Sequence, residues 1–316
     1  MKVIAVVVTY NRKVLLLECI NALLSQTYPV DTIVVIDNHS TDNSLEFIAE
    51  NVKSERIKTV RLNKNYGGSG GFFYGMKKAC ENNPDYIWVM DDDTIPQKDS
   101  LENLMNTEEL LKGKFSFLAS KAYGLNHEPM NIPFIDLSES ANCYEYLADG
   151  LVKISVATFV SLLIKKEAVE KEGLPHRFFF IWGDDLEYTN RLTKYYGPGY
   201  FCGKSVVLHK RQGNNALSPI DEDNVNRLKI FHYFYRNKLV YLKAYGSKKT
   251  LCRFKIEMFL SIFVVLLKKK HKMRKIHNIF KGYFGYIFGT YNRKAFKKRF
   301  TNDADLIEYE DNEKNS

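Results

Sequence analysis

Residues 86–93 read YIWVMDDD, a short apolar run that ends in three consecutive aspartates. Such a run is typical of a buried parallel strand that stops at the edge of a sheet. Three earlier runs have the same character: Lys2–Val8, Thr32–Ile36 and Ile57–Arg61. Segments with helical spacing separate the four runs: Lys13–Leu24, Ser44–Asn51 and Phe72–Asn82. This alternation predicts an α/β protein with a mostly parallel central sheet flanked by helices.

Polar residues stand at or just after the ends of these strands. They are Thr9, Asp37, Asn65 and Asp91. In open parallel sheets ligands bind beyond the carboxyl ends of the strands. The sequence therefore predicts a binding site at this edge, to which we also assign Asp92.

The aspartate run is a candidate metal site. Asp91 and Asp93 can point to the same side of an extended segment, and divalent cations such as Mg²⁺ prefer carboxylate oxygens and substrate phosphates. His209 follows the apolar run at 206–208 and is a candidate third ligand. The alternatives are a solvated acidic turn before Pro96 and a histidine with a purely structural role.

A glycine-rich segment precedes the third predicted helix. Asn65 and the four glycines Gly67, Gly68, Gly70 and Gly71 are expected to form a loop over residues 65–71. Glycines let the backbone approach a phosphate or a sugar closely; a merely flexible loop is the alternative. The spacing is neither a Walker A motif nor GxGxxG, which argues against an ATPase or a dinucleotide enzyme.

Residues 182–187 read WGDDLE at the start of a predicted helix, Asp185–Lys194. A carboxylate held there beside an aromatic side chain suits a general base. Alternatively, Asp184 or Asp185 simply caps the helix.

The net charge of +9 is concentrated near the C-terminus. Residues 248–300 carry about sixteen positive charges and one negative charge, and residues 302–316 carry a net charge of about −5. Apolar and aromatic residues interleave with the basic ones across predicted helices at 225–245 and 250–267. This composition favours an anionic membrane surface as a partner. A solvated helical face is the alternative, and no recognised nucleic-acid-binding module is present.

The cysteines and the N-terminal residues indicate the cellular compartment in which the protein is expected. The five cysteines are widely spaced and contain no CxxC pair, which argues against a disulfide framework and a thiolate zinc site. The apolar run at residues 3–8 is too short for a signal peptide. We expect a cytoplasmic protein that lies peripherally on the inner face of the cell membrane.

Several of these segments together resemble the family 2 inverting glycosyltransferases, which have the GT-A fold. The segments VVVTYNR at 6–12, VVIDNHSTDNS at 34–44 and DDD at 91–93 carry this resemblance. The segments NKNYGGSGGF at 63–72 and WGDDLEYTNR at 182–191 resemble the galactofuranosyltransferase branch. YFYRN at 233–237 resembles a motif shared by galactofuranosyl- and rhamnosyltransferases.

The resemblance implies a role for each matching position. Thr9 and Asp37 would contact the uridine of the donor, and Asn65 with the glycines would line the donor pocket. Asp91, Asp93 and His209 would bind Mg²⁺ or Mn²⁺. Asp185 would be the general base, Asp184 would help to hold the acceptor, and Trp182 would form part of the acceptor platform. Gly183 separates Trp182 from the aspartate pair, where the family pattern has none.

The resemblance also implies a division of the chain. Residues 1–215 would form the glycosyltransferase domain, with a nucleotide-binding half at 1–100 and an acceptor half at 101–215. Residues 216–300 would form a helical, basic, membrane-associating segment, and 301–316 an acidic disordered tail. The expected reaction moves galactofuranose from UDP-galactofuranose to a glycan, lipid-linked in keeping with a membrane location. The alternatives are a rhamnosyltransferase that uses dTDP-rhamnose and a non-catalytic nucleotide-sugar-binding subunit. A homo-oligomer is possible.

Overall fold

The computed structural model describes residues 1–138, 142–211, 218–267 and 270–289, together with the backbone of residues 309–311. The first part alternates strands and helices as predicted. Its elements are β1 (Val3–Thr9), α1 (Lys13–Leu24), β2 (Thr32–Asp37), α2 (Ser44–Asn51), β3 (Ile57–Leu62), α3 (Gly67–Glu81) and β4 (Tyr86–Asp91).

The prediction of a glycine-rich loop was wrong over Gly67–Gly71, because α3 begins at Gly67. Glycine is a poor helix former, but here the close packing of α3 against the sheet outweighs this low propensity. A side chain at Gly71 would overlap Val8 of β1, and one at Gly75 would overlap Val6. The missing side chains let α3 lie directly on the sheet.

The second part completes the sheet and adds short helices. Its elements are β5 (Thr94–Pro96), α4 (Ser100–Leu111), β6 (Phe117–Tyr123), β7 (Pro129–Met130), β8 (Phe134–Ile135), β9 (Leu151–Val156), β10 (Leu162–Lys165), α5 (Lys166–Glu172), α6 (Asp184–Tyr195) and β11 (Gly199–His209). Short 3-10 turns lie at Asn142–Tyr144, Leu147–Asp149 and Arg177–Phe179.

One mixed sheet runs through both parts, in the order β3-β2-β1-β4-β10-β6-β11-β9-β8. Strand β10 is antiparallel to both of its neighbours, β4 and β6. Because β6 pairs in parallel with β11, the strands β3, β2, β1, β4, β6 and β11 all run in one direction. The α/β class with a central sheet flanked by helices is confirmed. The parallel pattern is interrupted by β10, which the strand–helix alternation could not reveal.

Both faces of the central strands β1, β2 and β4 are buried. Along β1, Val3, Ala5 and Val7 pack with α1 on one face, whereas Ile4 and Val6 pack on the other with α3. Alternate residues of a strand point to opposite faces, so an unbroken apolar run is what a doubly covered strand requires.

The C-terminal part is helical and has its own small core. Its elements are α7 (Val225–Leu228), α8 (His232–Tyr245), α9 (Lys248–Leu267) and α10 (Lys272–Phe288). The predicted single helix at 225–245 is divided between α7 and α8. The buried residues Tyr235, Leu239, Phe254, Met258 and Ile279 hold α8, α9 and α10 together. Among the described residues, no helix combines the length and the apolar character needed to cross a membrane.

Most of the predicted acidic tail lies outside the described residues, as do residues 290–300 of the basic segment. The backbone of Tyr309–Asp311 forms a strand, β12, which pairs antiparallel with β3. This pairing departs from the expectation of a tail without regular structure.

Candidate active site

Three predicted metal ligands lie together at the carboxyl end of β4. Each of Asp91, Asp93 and His209 offers a ligand atom, and these atoms lie within 4.8 Å of one another. His209 ends β11 and pairs with Thr94 of β5, which places the histidine directly beside the aspartate turn. Residues more than a hundred positions apart in the sequence thus form one cluster.

The contacts of His209 and Asp93 suit a bound cation. Nδ1 of His209 lies 2.8 Å from Oδ1 of Asn131. Because that amide oxygen accepts, Nδ1 carries the hydrogen and Nε2 turns its lone pair toward the cluster. Nε2 lies 3.2 Å from Oδ1 of Asp93, and this buried oxygen has no hydrogen-bond partner in the described part of the chain. A cation between the two atoms would satisfy both.

Electrostatics point in the same direction. Burial, together with the charges of Asp93 and Asp92, raises the pKa of Asp91 well above its usual range. Burial also acts to raise the pKa of Asp93, but positive charge beside it, including that of Arg12, holds the pKa below its usual value. Three neighbouring carboxylates need positive charge, and the carboxylate–imidazole donor set fits Mn²⁺ or Mg²⁺.

Arg12, which the sequence analysis missed, supplies part of that positive charge. Its Nη1 lies 2.7 Å from Oδ2 of Asp93 and 3.3 Å from Oδ1 of Asp92. Oδ2 of Asp92 accepts a hydrogen bond of 2.7 Å from the hydroxyl of Thr9. Burial raises the pKa of Asp92 to about 6. Thr9 and Asp92 thus fix the aspartate turn from inside, and Arg12 covers it from the solvent side.

Asp37 lies at the end of β2 and is fully buried. Its Oδ2 accepts from Nε of Arg61 at 3.0 Å, and its Oδ1 accepts from the backbone N–H of Ser40 at 2.8 Å. Arg61 is half-buried and also contacts Glu46. The carboxylate therefore fixes a turn and an arginine at the same edge as the aspartates.

Asn38 and Asn65 attach this edge to the start of α3. Asn38 donates to the carbonyl of Gly67 at 2.9 Å and accepts from the backbone N–H of Tyr66. Asn65 accepts from the backbone N–H of Gly67 at 2.7 Å. Asn38 was not predicted, although it directly follows Asp37.

The four predicted glycines differ in what surrounds them. A side chain at Gly67 would overlap the carbonyl of Phe180, one at Gly70 would overlap Tyr66, and one at Gly71 would overlap Val8. Gly68 borders open space. Three of the glycines are thus required for close packing, and only Gly68 leaves room beside its backbone for a ligand.

Asp184 and Asp185 open helix α6. The N-cap position belongs to Gly183, so neither carboxylate is the capping residue, although Oδ1 of Asp185 accepts from the N–H of Leu186 at 2.8 Å. Burial, and then the charge of Asp185, raises the pKa of Asp184 to about 8. Burial raises the pKa of Asp185 to about 6. Asp184 is near enough to Asp91 for its charge to raise the pKa of Asp91, so Asp184 lies in the neighbourhood of the three candidate metal ligands.

The loop before α6 has an unusual backbone. Phe180, Trp182 and Gly183 all have positive φ, at 64°, 62° and 89°. Residues other than glycine adopt this region at a cost, so outside contacts must hold the loop. The half-buried Trp182 packs against Phe231, with ring centroids 4.8 Å apart.

The YFYRN segment of α8 provides those contacts. The buried amide of Asn237 donates to the carbonyls of Phe179, Ile181 and Trp182 at 2.8–2.9 Å. Arg236 donates to the carbonyls of Phe178 and Phe179. The C-terminal helices therefore hold the loop that carries the acid pair, a role that sequence spacing alone did not reveal.

Known glycosyltransferases resemble this chain in sequence. The sequence profile of Glycosyl transferase family 2 matches residues 4–117. Galactofuranosyltransferase GlfT1 of Mycolicibacterium smegmatis is 27% identical over 277 residues, which cover 79% of this chain and 85% of that protein.

Two solved structures share the fold. GalNAc-T7 with UDP, GalNAc and Mn²⁺ has a TM-score of 0.57 and 15% identity, over 81% of this chain and 54% of that one. S. aureus TarS 1-349 in complex with UDP-GlcNAc has a TM-score of 0.53 and 17% identity, over 80% and 70%. The sequence matches support the assignment of the chain to the family 2 glycosyltransferases, and the two structures show that it shares the GT-A fold.

Proposed function

We propose that this glycosyltransferase moves galactofuranose from UDP-galactofuranose to an acceptor glycan, with inversion and with the help of Mn²⁺ or Mg²⁺. The observation that carries the proposal is the cluster of Asp91, Asp93 and His209 with the buried Asp184 near it, next to the half-buried Asp185. The likeness to galactofuranosyltransferase GlfT1 over most of the chain supports the choice of sugar.

The donor would lie along the carboxyl edge of the sheet. Asp91, Asp93 and His209 would hold the cation, which when bound neutralises charge on the leaving diphosphate. Thr9 and Asp37 would shape the uridine pocket, Asp37 through the arginine and the turn that it fixes. Asn65 and the glycines would border the donor, with Gly68 offering the open backbone.

Asp185 would be the general base. With its pKa raised to about 6, it is largely ionised at neutral pH, and it is half-buried, so an acceptor can reach it. Its carboxylate takes the proton of the acceptor hydroxyl while that oxygen bonds to the anomeric carbon. The bond from this carbon to the diphosphate oxygen breaks on the opposite face, and UDP leaves.

Asp184 and Trp182 would bind the acceptor. A proton on Asp184, favoured by a pKa of about 8, makes the group a hydrogen-bond donor to a sugar hydroxyl. Trp182 would offer its ring as a stacking surface. We propose a lipid-linked glycan as the acceptor.

A donor panel tests the proposed sugar. The chain would be incubated with Mn²⁺ and, in separate reactions, UDP-galactofuranose, dTDP-rhamnose or UDP-GlcNAc, and free nucleotide would be measured. We expect release from UDP-galactofuranose alone. Preferential release from dTDP-rhamnose would show that the chain is a rhamnosyltransferase.

A substitution tests the base. Asp185→Asn should lower kcat by about 10³-fold, within the range for loss of a general base, and leave UDP affinity within about threefold. Asp99→Asn, at an exposed aspartate that precedes α4, is the matched control and should keep full activity. Equal loss of UDP binding and turnover in Asp185→Asn would argue against the assignment.

A further inference from the structure

Helix α9 exposes an apolar stripe on its outer side. Ile256, Leu260, Phe263 and Leu267 recur at intervals of three or four residues, and Phe263 and Leu267 are 67% and 85% exposed. This spacing places them on one face along the whole length of the helix. The opposite face of α9 packs inside the protein, because Phe254, Met258 and Val265 are buried.

Helix α10 carries a second stripe of the same kind. Met273, Phe280, Phe284 and Ile287 are exposed, at 79%, 40%, 49% and 48%. The rings of Phe280 and Phe284 stack at 6.4 Å. Phe280 also lies 6.0 Å from Phe259 of α9, which joins the two stripes. We call these eight exposed residues the outer face. A continuous exposed apolar surface of this kind indicates a binding surface.

Positive charge borders the outer face. Residues 248–289 contain eleven lysines and arginines and one acidic residue, Glu257. Arg274 and Lys281 are exposed and directly follow Met273 and Phe280 in the sequence. On the helix they therefore lie next to the α10 stripe. Arg253 is exposed three residues before Ile256 and extends the α9 stripe by one turn.

We propose that the outer face lies on an anionic lipid bilayer, with its apolar side chains at the acyl boundary and the flanking lysines and arginines on the headgroup phosphates. Charge complementarity favours this occupant, because an apolar stripe bordered by cations matches an apolar layer covered by anions. A second copy would bring the exposed lysines and arginines beside one outer face against those beside the other, and these like charges repel. The proposal does not depend on which donor sugar the enzyme uses.

This surface adjoins the active site through α8. A side chain at Gly282 of α10 would overlap the backbone of α8 at His232, so the two helices lie in close contact. Asn237 of the same helix holds the loop before α6. A bilayer under the outer face would therefore lie at a fixed position relative to Asp185, as a lipid-linked acceptor requires.

Vesicle sedimentation of the full chain tests the proposal, with phosphatidylcholine alone and with added phosphatidylglycerol. We expect at least about tenfold stronger binding to the anionic vesicles, weakened by salt. Leu260→Ser/Phe263→Ser and Arg274→Glu/Lys281→Glu should each reduce binding at least about fivefold.

Matched controls are Val14→Ser/Leu125→Ser, which change exposed apolar residues elsewhere, and Lys114→Glu/Lys204→Glu, which reverse exposed charges elsewhere. Both should bind as the unaltered chain does. Equal binding to neutral and anionic vesicles, or equal losses in variants and controls, would overturn the proposal. So would a dimer in analytical ultracentrifugation that Leu260→Ser/Phe263→Ser dissociates without any change in vesicle binding. Nucleotide release by the chain without vesicles is measured separately. It distinguishes a failure of the membrane proposal from a failure of the proposed donor.

Discussion

Removal of the Asn237 side chain should uncouple the C-terminal helices from the loop before α6. One amide group donates to three loop carbonyls at 2.8–2.9 Å and is 2% exposed. Its two hydrogens are shared among three acceptors, so at about 1 kcal/mol per net hydrogen bond the contact contributes about 2–3 kcal/mol.

That free energy is comparable with the free energy needed to hold the loop backbone at positive φ. Phe180 and Trp182 hold positive φ without being glycine, at about 1–3 kcal/mol each. In Asn237→Ala the loop should therefore relax toward ordinary backbone angles, and Asp185, which follows it, should move. A displacement of about 1 Å at a reacting group can lower turnover about 100-fold.

The assay separates this effect from simple destabilisation. We expect kcat to fall about 100-fold, UDP affinity to stay within about threefold, and Tm to drop by roughly 5 °C. Asn190→Ala is the control, because it removes a 2.9 Å hydrogen bond between α6 and α8, to Tyr241, without touching the loop. If Asn237→Ala loses stability but keeps kcat, or Asn190→Ala loses kcat equally, the reasoning fails.

Three further predictions concern the sheet edge and the acid pair. Arg12→Gln should lower the Tm of the metal-free protein and increase the Tm gain on adding Mn²⁺, because the aspartate turn loses its cation; a smaller gain would contradict this. Burial raises the pKa of Asp184 from an ordinary 3.8 to about 8, so the folded chain keeps a proton that the unfolded chain loses, and the stability of the metal-free protein should fall as pH rises between these values. Asp184→Asn should flatten that part of the Tm–pH curve, and an unchanged slope would exclude this group as its cause. Gly71→Ala should cost about 1–3 kcal/mol by overlap with Val8, whereas Gly68→Ala, beside open space, should keep or slightly raise Tm, because alanine is the better helix former.

The sequence predicted the local features of the fold well. The first four strands and two of their helices have the predicted bounds to within about one residue, because apolar runs and helical spacing are properties of short segments. The start of α3 was missed because propensity disfavours helical glycine, while contacts with Val8 and Phe180 require it. Those contacts come from segments distant in the sequence, which no local pattern reports.

The same limit applies to the site. The sequence predicted the three residues of the candidate metal site, since carboxylates that end a buried strand are typical ligands of a divalent cation. It did not show that Arg12 would cover the aspartate turn or that Asn131 would orient His209. YFYRN was recognised only as a resemblance, and its hydrogen bonds to the loop became evident once α8 was placed against it.

Strand β10 has a consequence for motion in the enzyme. It is hydrogen-bonded along Leu162–Lys165 to β4 on one side and to β6 on the other. The two parts of the sheet are thus joined by continuous backbone hydrogen bonds, and a hinge between them would have to break hydrogen bonds of a strand that is buried on both faces. Opening and closing around substrates must instead belong to the segments above the strand ends, among them the loop before α6, which α8 holds in place through Asn237.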